Sequence, residues 1–392
     1  GITPIDDLSK QHQTIQSSNK PPKRRTQSFR GLVLFEAFVQ VNQPTVAYNR
    51  LYTQTSKLGK GDSYERDSMG NDRLRRRNGE EKRARLYKAN GSRLKGVYNR
   101  TEAKAHGWVK RHGHGQVYAT VEELLADEEI TAVYIATPPA THFDYAMQVI
   151  AANKVPLIEK PMARTFEECQ AILDAAGEKD LTVFVSFYRR ALEKFQKIKE
   201  LLDEGAIGQP QLVEVRQYQR PAPEDLDRDN LPWRLQPAAG GGKDLDIQVH
   251  VLDYLAYFFG EITAMTGIVE NRAGLYEVED TVSASFRFAN GVVGLAAWCY
   301  VADFDLDEVT IIGSEGTLVF EGTSFEWIRL IKDGETTTFT FETPEHVAMP
   351  FIQTVVDELN RQTKSPADAT SAANGIRMFD ELLKEYRERY ES

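Results

Sequence analysis

Cysteine is scarce in this sequence, because only Cys169 and Cys299 occur among 392 residues. Two cysteines build neither a disulfide framework nor a cysteine-rich metal site. The reducing cytoplasm is therefore the expected location. A metal site at His106, His112 and His114 would need carboxylate or cysteine support, so we interpret these histidines as solvated and predict no bound metal.

Long hydrophobic runs are also missing. The longest near the start, residues 31–41, is interrupted by Glu36 and is too short to span a bilayer, so no membrane partner is expected. The sequence contains neither a Gly-x-Ser-x-Gly elbow nor a Walker-type lysine loop, which removes the main support for hydrolase and kinase functions. Its length and its 41% hydrophobic residues fit a globular protein of about two domains.

Charge is unevenly distributed along the chain. Residues 1–100 hold 21 Lys and Arg against 9 Asp and Glu, whereas the remainder holds 27 against 49. A basic head can bind nucleic acid, but this one lacks aromatic platforms and any known nucleic-acid-reading motif. We therefore predict no nucleic-acid partner and interpret residues 1–85 as an atypical segment that is disordered or non-native.

From residue 86 the pattern becomes regular. Apolar strand-like runs alternate with amphipathic helical ones over residues 86–186, which predicts βαβ units around a parallel sheet. Thr120 and Thr165, each followed three residues later by a glutamate, are expected to cap two of the helices. Over residues 187–392 longer strands are separated by turns, which predicts an α+β domain with a large, open, mostly antiparallel sheet and two closing helices.

Lys160 follows an apolar strand directly and stands between Glu159 and Pro161. A ligand in an open α/β sheet binds at the carboxyl ends of the strands, where this lysine is placed. Partial desolvation would leave its pKa open to lowering, and such a lysine can exchange a proton with an alcohol or carbonyl. The alternative is a lysine that merely pairs with Glu159.

Asp246 and His250 are four residues apart at the start of a predicted helix, after three glycines that allow close approach of a ligand. Such a pair can orient a substrate hydroxyl and share its proton, or it can simply cap the helix. Trp233 and Arg234 follow an acidic loop. An indole beside a guanidinium suits a polyol, although one buried tryptophan can equally anchor a surface loop.

Together, residues 136–142 (ATPPATH), 159–161 (EKP), 232–234 (PWR) and 240–260 resemble the Gfo/Idh/MocA family of nicotinamide-dependent sugar and polyol oxidoreductases. The resemblance covers roughly residues 86–392. It implies that residues 86–186 form a dinucleotide-binding Rossmann domain, and that residues 187–392 bind the substrate. It also implies a homodimer or homotetramer assembled through the C-terminal sheet.

The resemblance also assigns roles to single residues. Lys160, His250 and Asp246 would be catalytic, with Lys160 touching both the nicotinamide ribose and the substrate. The remaining assignments are cofactor contacts at Thr137, Pro138, Pro139, His142 and Glu159, and substrate contacts at Tyr188, Arg189, Trp233 and Arg234. Gln248 departs from the family pattern, in which many members have a small residue there, and this bears on the shape of the pocket.

Asn99 and Arg100 stand where the second Rossmann strand ends, the position that reads the adenosine ribose. An acidic residue there would favour NAD, whereas an arginine can pair with a 2′-phosphate. We therefore expect NADP in preference to NAD as the cofactor.

A Rossmann domain begins with a strand and a Gly-x-Gly-x-x turn, because glycine lets the backbone amides approach the pyrophosphate. Where that turn should fall, residues 69–85 are rich in arginine. Read one nucleotide out of frame, with permitted codon choices, these residues become WGTIGCGDVTEKKSGPG, an apolar strand followed by a glycine turn. We therefore predict that residues up to about Arg85 are a frameshifted translation. The alternative is an atypical member that truly lacks the turn.

The expected function is hydride transfer between a sugar-like or polyol carbon and the nicotinamide of NAD(P), with Lys160 and His250 handling the hydroxyl proton. Two alternatives stay open. One is a glycosidase of the same family that uses bound NAD transiently. The other is a non-catalytic protein without the phosphate-binding turn.

Overall fold

The computed structural model describes residues 34–40 and 88–390, which contain two sheets. The first sheet has six strands: β1 (Leu34–Gln40), β2 (Ser92–Tyr98), β3 (Gln116–Val117), β4 (Ala132–Ala136), β5 (Val155–Ile158) and β6 (Phe184–Val185). Their spatial order is β3-β2-β1-β4-β5-β6. The β2–β3, β4–β5 and β5–β6 pairs are parallel, which confirms the predicted Rossmann-type sheet.

Helices alternate with these strands as the sequence pattern predicts. They are α1 (Glu102–His112), α2 (Val121–Ala126), α3 (His142–Ala151) and α4 (Phe166–Gly177). Both predicted caps are confirmed, since the hydroxyl of Thr120 accepts from the Glu123 amide at 3.1 Å and that of Thr165 from the Glu168 amide at 3.2 Å. All five residues of β4 are buried, as expected for a strand covered on both faces.

Strand β1 occupies the centre of the first sheet but runs antiparallel to both of its neighbours, β2 and β4. Leu34 pairs with Ala136, so the amino end of β1 lies at the edge where β4 ends. In a Rossmann sheet the central strand instead delivers its carboxyl end, and the glycine turn after it, to that edge. Residues 34–40 thus fill the central position without bringing a phosphate-binding turn to the cofactor edge.

The second sheet has eight strands: β7 (Pro210–Tyr218), β8 (Ile262–Glu270), β9 (Thr281–Phe288), β10 (Val293–Cys299), β11 (Leu306–Gly313), β12 (Thr317–Phe320), β13 (Trp327–Lys332) and β14 (Glu335–Thr340). Their order is β14-β13-β12-β11-β7-β10-β9-β8. The β7–β10 pair is parallel and the other pairs are antiparallel, so the sheet is mixed and mostly antiparallel, as expected.

The four later helices are α5 (Glu193–Asp203), α6 (Val249–Phe259), α7 (Met349–Leu359) and α8 (Ala369–Tyr390). Helix α6 contacts α5 and α8, and α8 packs on β8. Helix α7 packs elsewhere: Phe351 and Val355 share an apolar cluster with Tyr134 and Leu157 of the first sheet. The chain after residue 187 therefore returns to pack on the first sheet. A domain boundary at a single position in the sequence does not describe this packing.

Candidate active site

Lys160 lies just beyond the carboxyl end of β5, before Pro161, and the peptide bond between them is cis. Its ammonium donates to the Asp246 carboxylate at 3.0 Å and also to the main-chain carbonyl of Asp246. Glu159 is used differently, because its carboxylate accepts from the hydroxyl of Tyr134. The Lys160 ammonium thus contacts Asp246 in the second domain. The carboxylate that pairs with it is that of Asp246 and not that of Glu159.

Asp246 lies in a π-helical turn, Asp244–Gln248, that leads directly into α6. The wider turn of a π-helix is frequent at functional sites because it redirects side chains and carbonyls. Here both the carboxylate and the carbonyl of Asp246 face Lys160. The Lys160–Asp246 pair thus joins the end of a parallel strand of the first domain to the start of a helix in the second. The pair therefore lies at the boundary between the two domains.

Arg234 adds a second cation to this pair. It lies in a short 3₁₀ turn, Trp233–Leu235, and its Nε is 4.0 Å from the carboxylate of Asp246. The same guanidinium contacts Glu224 at 3.1 Å and Asp225 at 3.8 Å. Arg234 is therefore held between the acidic loop and Asp246.

The charge state of Asp246 follows from these neighbours. Burial raises the pKa of its carboxyl group, but the ammonium of Lys160 lowers that pKa, and Arg234 and Lys243 lower it further. The net pKa lies below the ordinary value, so Asp246 is a carboxylate at neutral pH.

Three consecutive glycines precede the π-helical turn, and each makes room for protein rather than for a ligand. A Cβ on Gly240 would lie 3.0 Å from the amide nitrogen of Ala140, and one on Gly242 would strike the carboxylate of Asp244. A Cβ on Gly241 would lie 2.7 Å from the carbonyl carbon of Arg234. The glycines thus let the Trp233 and Arg234 backbone and the strand-end turn pack against this loop.

We expect Gly241→Ala to lower the free energy of unfolding by about 2 kcal/mol, because backbone cannot move aside as a flexible side chain can. Gly177→Ala is the matched control, since its Cβ would meet nothing within 4 Å. Chemical denaturation of both variants measures the difference. Equal stabilities would show that the Gly241 loop relaxes freely.

His250 lies in the first turn of α6 and is 8% exposed. Its ring has edge-on contacts with Phe187, at 5.7 Å between centroids, and with Tyr188, at 5.6 Å. The two aromatic residues come from the segment that follows β6, where the first domain ends. The imidazole is therefore held by two rings from the start of the second domain, next to the domain boundary.

Arg189 is buried behind Tyr188. Its guanidinium lies 5.2 Å from the Tyr188 ring and 5.7 Å from the Phe325 ring, and its Nε donates to the carbonyl of Gly322 at 3.2 Å. Because the arginine is 7% exposed and engaged in these contacts, we interpret it as a support for Tyr188.

The turn after β4 forms the neighbouring part of the cofactor edge. The hydroxyl of Thr141 donates to the hydroxyl of Thr137 at 2.8 Å and lies 3.0 Å from the Pro138 carbonyl. Pro138 is partly exposed, whereas Pro139 is buried. The turn is thus braced internally, and Pro138 is its more accessible proline.

His142, a predicted cofactor contact, is the first residue of α3, and its side chain has no exposed surface. Its ring lies between two main-chain carbonyls, those of Thr137 and Pro161.

Asn99 and Arg100 follow β2 at the same edge of the sheet. Asn99 is 4% exposed, and its side-chain oxygen accepts from the amide of Thr101 at 2.9 Å. Its Nδ2 has no hydrogen-bond partner among the described residues. Arg100 is exposed. The strand end therefore presents one buried amide donor beside one solvated guanidinium.

Sequence reasoning missed Lys243, which is 4% exposed beside the catalytic candidates. Its ammonium is 3.7 Å from the Asp225 carboxylate and lies over the rings of Tyr276, at 5.5 Å, and Tyr300, at 5.1 Å. The available signal was a lysine directly after three glycines and three residues before Asp246. Gln248 is likewise fully buried, so it shapes the pocket from behind rather than at its surface.

Within residues 34–40 and 88–390, no group of three or more His, Cys, Asp or Glu side chains could hold a metal ion. In the same part of the chain, every helix is too short or too polar to cross a membrane.

Comparison with known families gives two matches. A family described as "Oxidoreductase family, NAD-binding Rossmann fold" matches residues 74–187. A second, described as "GFO/IDH/MocA C-terminal domain", matches residues 195–319. Together they include Lys160, Asp246 and His250, whereas Tyr188 and Arg189 lie between the two matched ranges.

Individual relatives agree with these matches. Oxidoreductase P35 of Formosa agariphila is 32% identical over 298 residues, which are 75% of this chain and 91% of that protein. Levoglucosan dehydrogenase of Pseudarthrobacter phenanthrenivorans is 30% identical over 241 residues, which are 54% of this chain and 60% of that protein.

Solved structures share the fold at lower identity. Levoglucosan dehydrogenase in complex with NADH and levoglucosan has a TM-score of 0.67 at 22% identity, over 74% of this chain and 87% of that one. The aldose-aldose oxidoreductase from Caulobacter crescentus, complexed with glycerol, has a TM-score of 0.68 at 20% identity, over 78% and 92%.

Proposed function

The chain belongs to the Gfo/Idh/MocA family of NAD(P)-dependent, sugar-acting oxidoreductases, and from that premise we propose that it moves a hydride between nicotinamide and a hydroxyl-bearing carbon of a sugar or polyol. The observation that carries this proposal is the contact of Lys160, at the end of β5, with Asp246 of the second domain at 3.0 Å. That contact puts a proton donor at the strand edge where an α/β sheet binds its ligand.

We assign the proton chemistry to Lys160, with Asp246 and His250 around it. In the reductive direction the Lys160 ammonium donates a proton to the substrate carbonyl oxygen, and in the oxidative direction the neutral amine accepts the hydroxyl proton. Asp246 stabilises the ammonium, and His250, one turn further along, orients the same hydroxyl and can share its proton. The bound nicotinamide supplies or accepts the hydride.

The described residues fit two parts of a dinucleotide, the nicotinamide ribose and the adenosine ribose. Near the nicotinamide ribose, Lys160 offers a charged donor beside the braced turn that contains Thr137 and Pro138. At the adenosine end, the unpartnered Nδ2 of Asn99 can donate to a ribose hydroxyl. The pyrophosphate between them needs a glycine turn, which the reversed strand β1 does not bring to that edge.

NADP is the proposed form of the cofactor, supported by the exposed Arg100 at the end of β2. In a protein with the glycine turn restored, Arg100→Ala should weaken NADPH binding about tenfold more than NADH binding, because one charge-assisted contact to the 2′-phosphate is lost. Arg93→Ala is the matched control, since Arg93 is exposed on the same strand and pairs with Glu129. Titration of both variants with both nucleotides makes the measurement, and equal losses would favour NAD.

The proposed substrate class rests on Arg234, which lies beside Asp246, and on Trp233 in the same short turn. An indole packs on the C–H face of a sugar while a guanidinium and a carboxylate bond its hydroxyls. Relatives whose names include levoglucosan dehydrogenase and 1,5-anhydro-D-fructose reductase support a carbohydrate. Free aldoses, anhydrosugars and inositols form the first panel to test.

The decisive assay separates net oxidation from hydrolysis. A dehydrogenase reduces NAD(P) in proportion to the free sugar oxidised. A glycosidase of the same family releases nitrophenol from nitrophenyl glycosides without net nicotinamide reduction. Sugar-dependent NAD(P)H formation without nitrophenol release supports the proposal, and the opposite pair of results overturns it.

We also propose that residues 1–85 are not native and that the frame changes near Arg85. Three features support this. Residues 69–85 are rich in arginine, the shifted frame contains a glycine turn, and the central strand β1 runs antiparallel to its neighbours β2 and β4. Sequencing the coding DNA tests the idea directly, and an unbroken frame across Arg85 and Leu86 would overturn it. The chain as written would then be a family member without the turn.

A homodimer or homotetramer through the second sheet is the proposed assembly. A row of paired residues crosses the open face, and it contains Ile331, Thr317, Ile312, Leu212 and Val293. Val293 and Ile331 are 42% and 39% exposed, which is high for such side chains. A mostly apolar row of this kind indicates a partner surface, and sedimentation at two protein concentrations measures the assembly.

A further inference from the structure

His142 is the residue whose contacts the proposed chemistry leaves unexplained. Its Nδ1 lies 2.7 Å from the carbonyl oxygen of Pro161, and its Nε2 lies 2.9 Å from that of Thr137. Both distances are those of well-formed hydrogen bonds. The imidazole therefore bridges the turn after β4 and the turn after β5, the two turns that form the cofactor edge.

Both of these carbonyl oxygens are acceptors without a proton. A carbonyl oxygen can only accept, so each ring nitrogen must donate. A neutral imidazole has one N–H and one lone pair, and in this position its lone pair would face an oxygen across 2.7 or 2.9 Å. An imidazolium has two N–H groups and satisfies both carbonyls.

Burial and the position of His142 at the start of its helix both oppose the charge, but the contacts favour it. His142 begins α3, and the amino end of a helix dipole disfavours a cation. Hydrogen bonds from a charged donor are roughly twice as strong as neutral ones, and two are made here. The alternative of one neutral bond and one repulsive contact has no such compensation.

The bridge fixes the place of Lys160. Pro161 directly follows the lysine, so holding the Pro161 carbonyl to that of Thr137 sets the spacing of the two turns from which catalytic and cofactor contacts project. A displacement of about 1 Å at a catalytic group can cost on the order of 100-fold in rate.

We propose that His142 is a positioning residue that, as an imidazolium, bridges the Thr137 and Pro161 carbonyls and thereby places Lys160. This inference rests on the proposed function of Lys160, although the charge state of His142 can be measured without any turnover. His142 itself touches neither substrate nor cofactor, because it is fully buried.

The first test is nitrogen-15 NMR of the ring nitrogens in the full chain at neutral pH. His142→Phe identifies the signal by its loss. Two protonated ring nitrogens are the expected result, and one protonated with one unprotonated nitrogen overturns the proposal. This readout decides the charge state without any measurement of turnover.

The second test separates positioning from general stability, in a protein with the glycine turn restored. We expect His142→Phe and His142→Gln to lower kcat about 30- to 100-fold and to change KM by less than about threefold, because a misplaced Lys160 acts on the transition state. The exposed His106, paired with Glu102 at the surface, provides the control variant His106→Gln. A folded His142 variant with kcat within about threefold of the parent overturns the proposal. A Lys160 variant that keeps full turnover would instead overturn the proposed function, whatever the NMR result.

Discussion

Replacing Lys160 with methionine, in a protein whose glycine turn has been restored, is expected to lower kcat about 10³-fold while the Kd for NADPH changes by less than about threefold. Methionine keeps most of the apolar stem but removes the proton donor. General acid–base catalysis contributes about 10²- to 10⁴-fold, and here the ammonium is held against Asp246 at 3.0 Å, in position to act. Steady-state kinetics with a sugar substrate measure kcat, and titration with NADPH measures Kd.

The control is Lys179→Met, because Lys179 is an exposed lysine that donates to the carbonyl of Ala151 at 2.9 Å, away from the site. It should leave kcat and Kd unchanged. Asp246→Asn gives a second comparison, since it keeps the lysine but removes its fixed anion. A Lys160→Met variant with undiminished kcat would remove the lysine from the mechanism and leave His250 as the remaining proton carrier.

Local sequence signals predict the parts of the site that depend on one strand end. Lys160 is found directly beyond an apolar strand, as its position in the sequence predicts, and Thr120 and Thr165 cap their helices. These features follow from residues within a few positions of each other. A strand that ends in a charged residue places it at the edge of the sheet wherever the rest of the chain goes.

Contacts between distant segments are not available from such signals. Lys160 and Asp246 are separated by 86 positions, and the neighbouring Glu159 offered an equally plausible partner until the structure assigned it to Tyr134. The three glycines suggested close approach of a ligand, yet they admit the backbone at Trp233 and Arg234. Packing decides these questions, because it depends on which loops the topology brings together.

His142 illustrates the same limit. Its motif places it near the cofactor edge, which is correct to within one turn, but its ring points inward to two carbonyls. Helix α7 gives a larger example, since it follows the second sheet in sequence and packs on the first. In both cases the residue type indicates a role near the site, and the tertiary structure decides which role.

The second large effect concerns the glycine turn. The chain as written should bind NADPH at least about 100-fold more weakly than a protein in which residues 69–85 are replaced by the sequence of the shifted frame. Backbone amides of the turn donate to the charged pyrophosphate, and hydrogen bonds to charged groups contribute about 1.5–3 kcal/mol each. Two such bonds correspond to roughly 10²- to 10⁴-fold in Kd.

The direction of β1 gives this prediction its structural basis. A parallel strand in the central position would end where β4 ends, so the turn after it would face the ligand edge, whereas β1 places its amino end there. Calorimetric titration of both proteins with NADPH measures the difference, and replacing the two turn glycines of the restored protein by alanine should reverse the gain. Equal affinity of the two proteins would mean that pyrophosphate is bound without a glycine turn, and the frameshift proposal would lose its functional support. A large gain in NADPH affinity that the two alanines reverse would show that the turn supplies this affinity. The residues after 88 are identical in every protein compared.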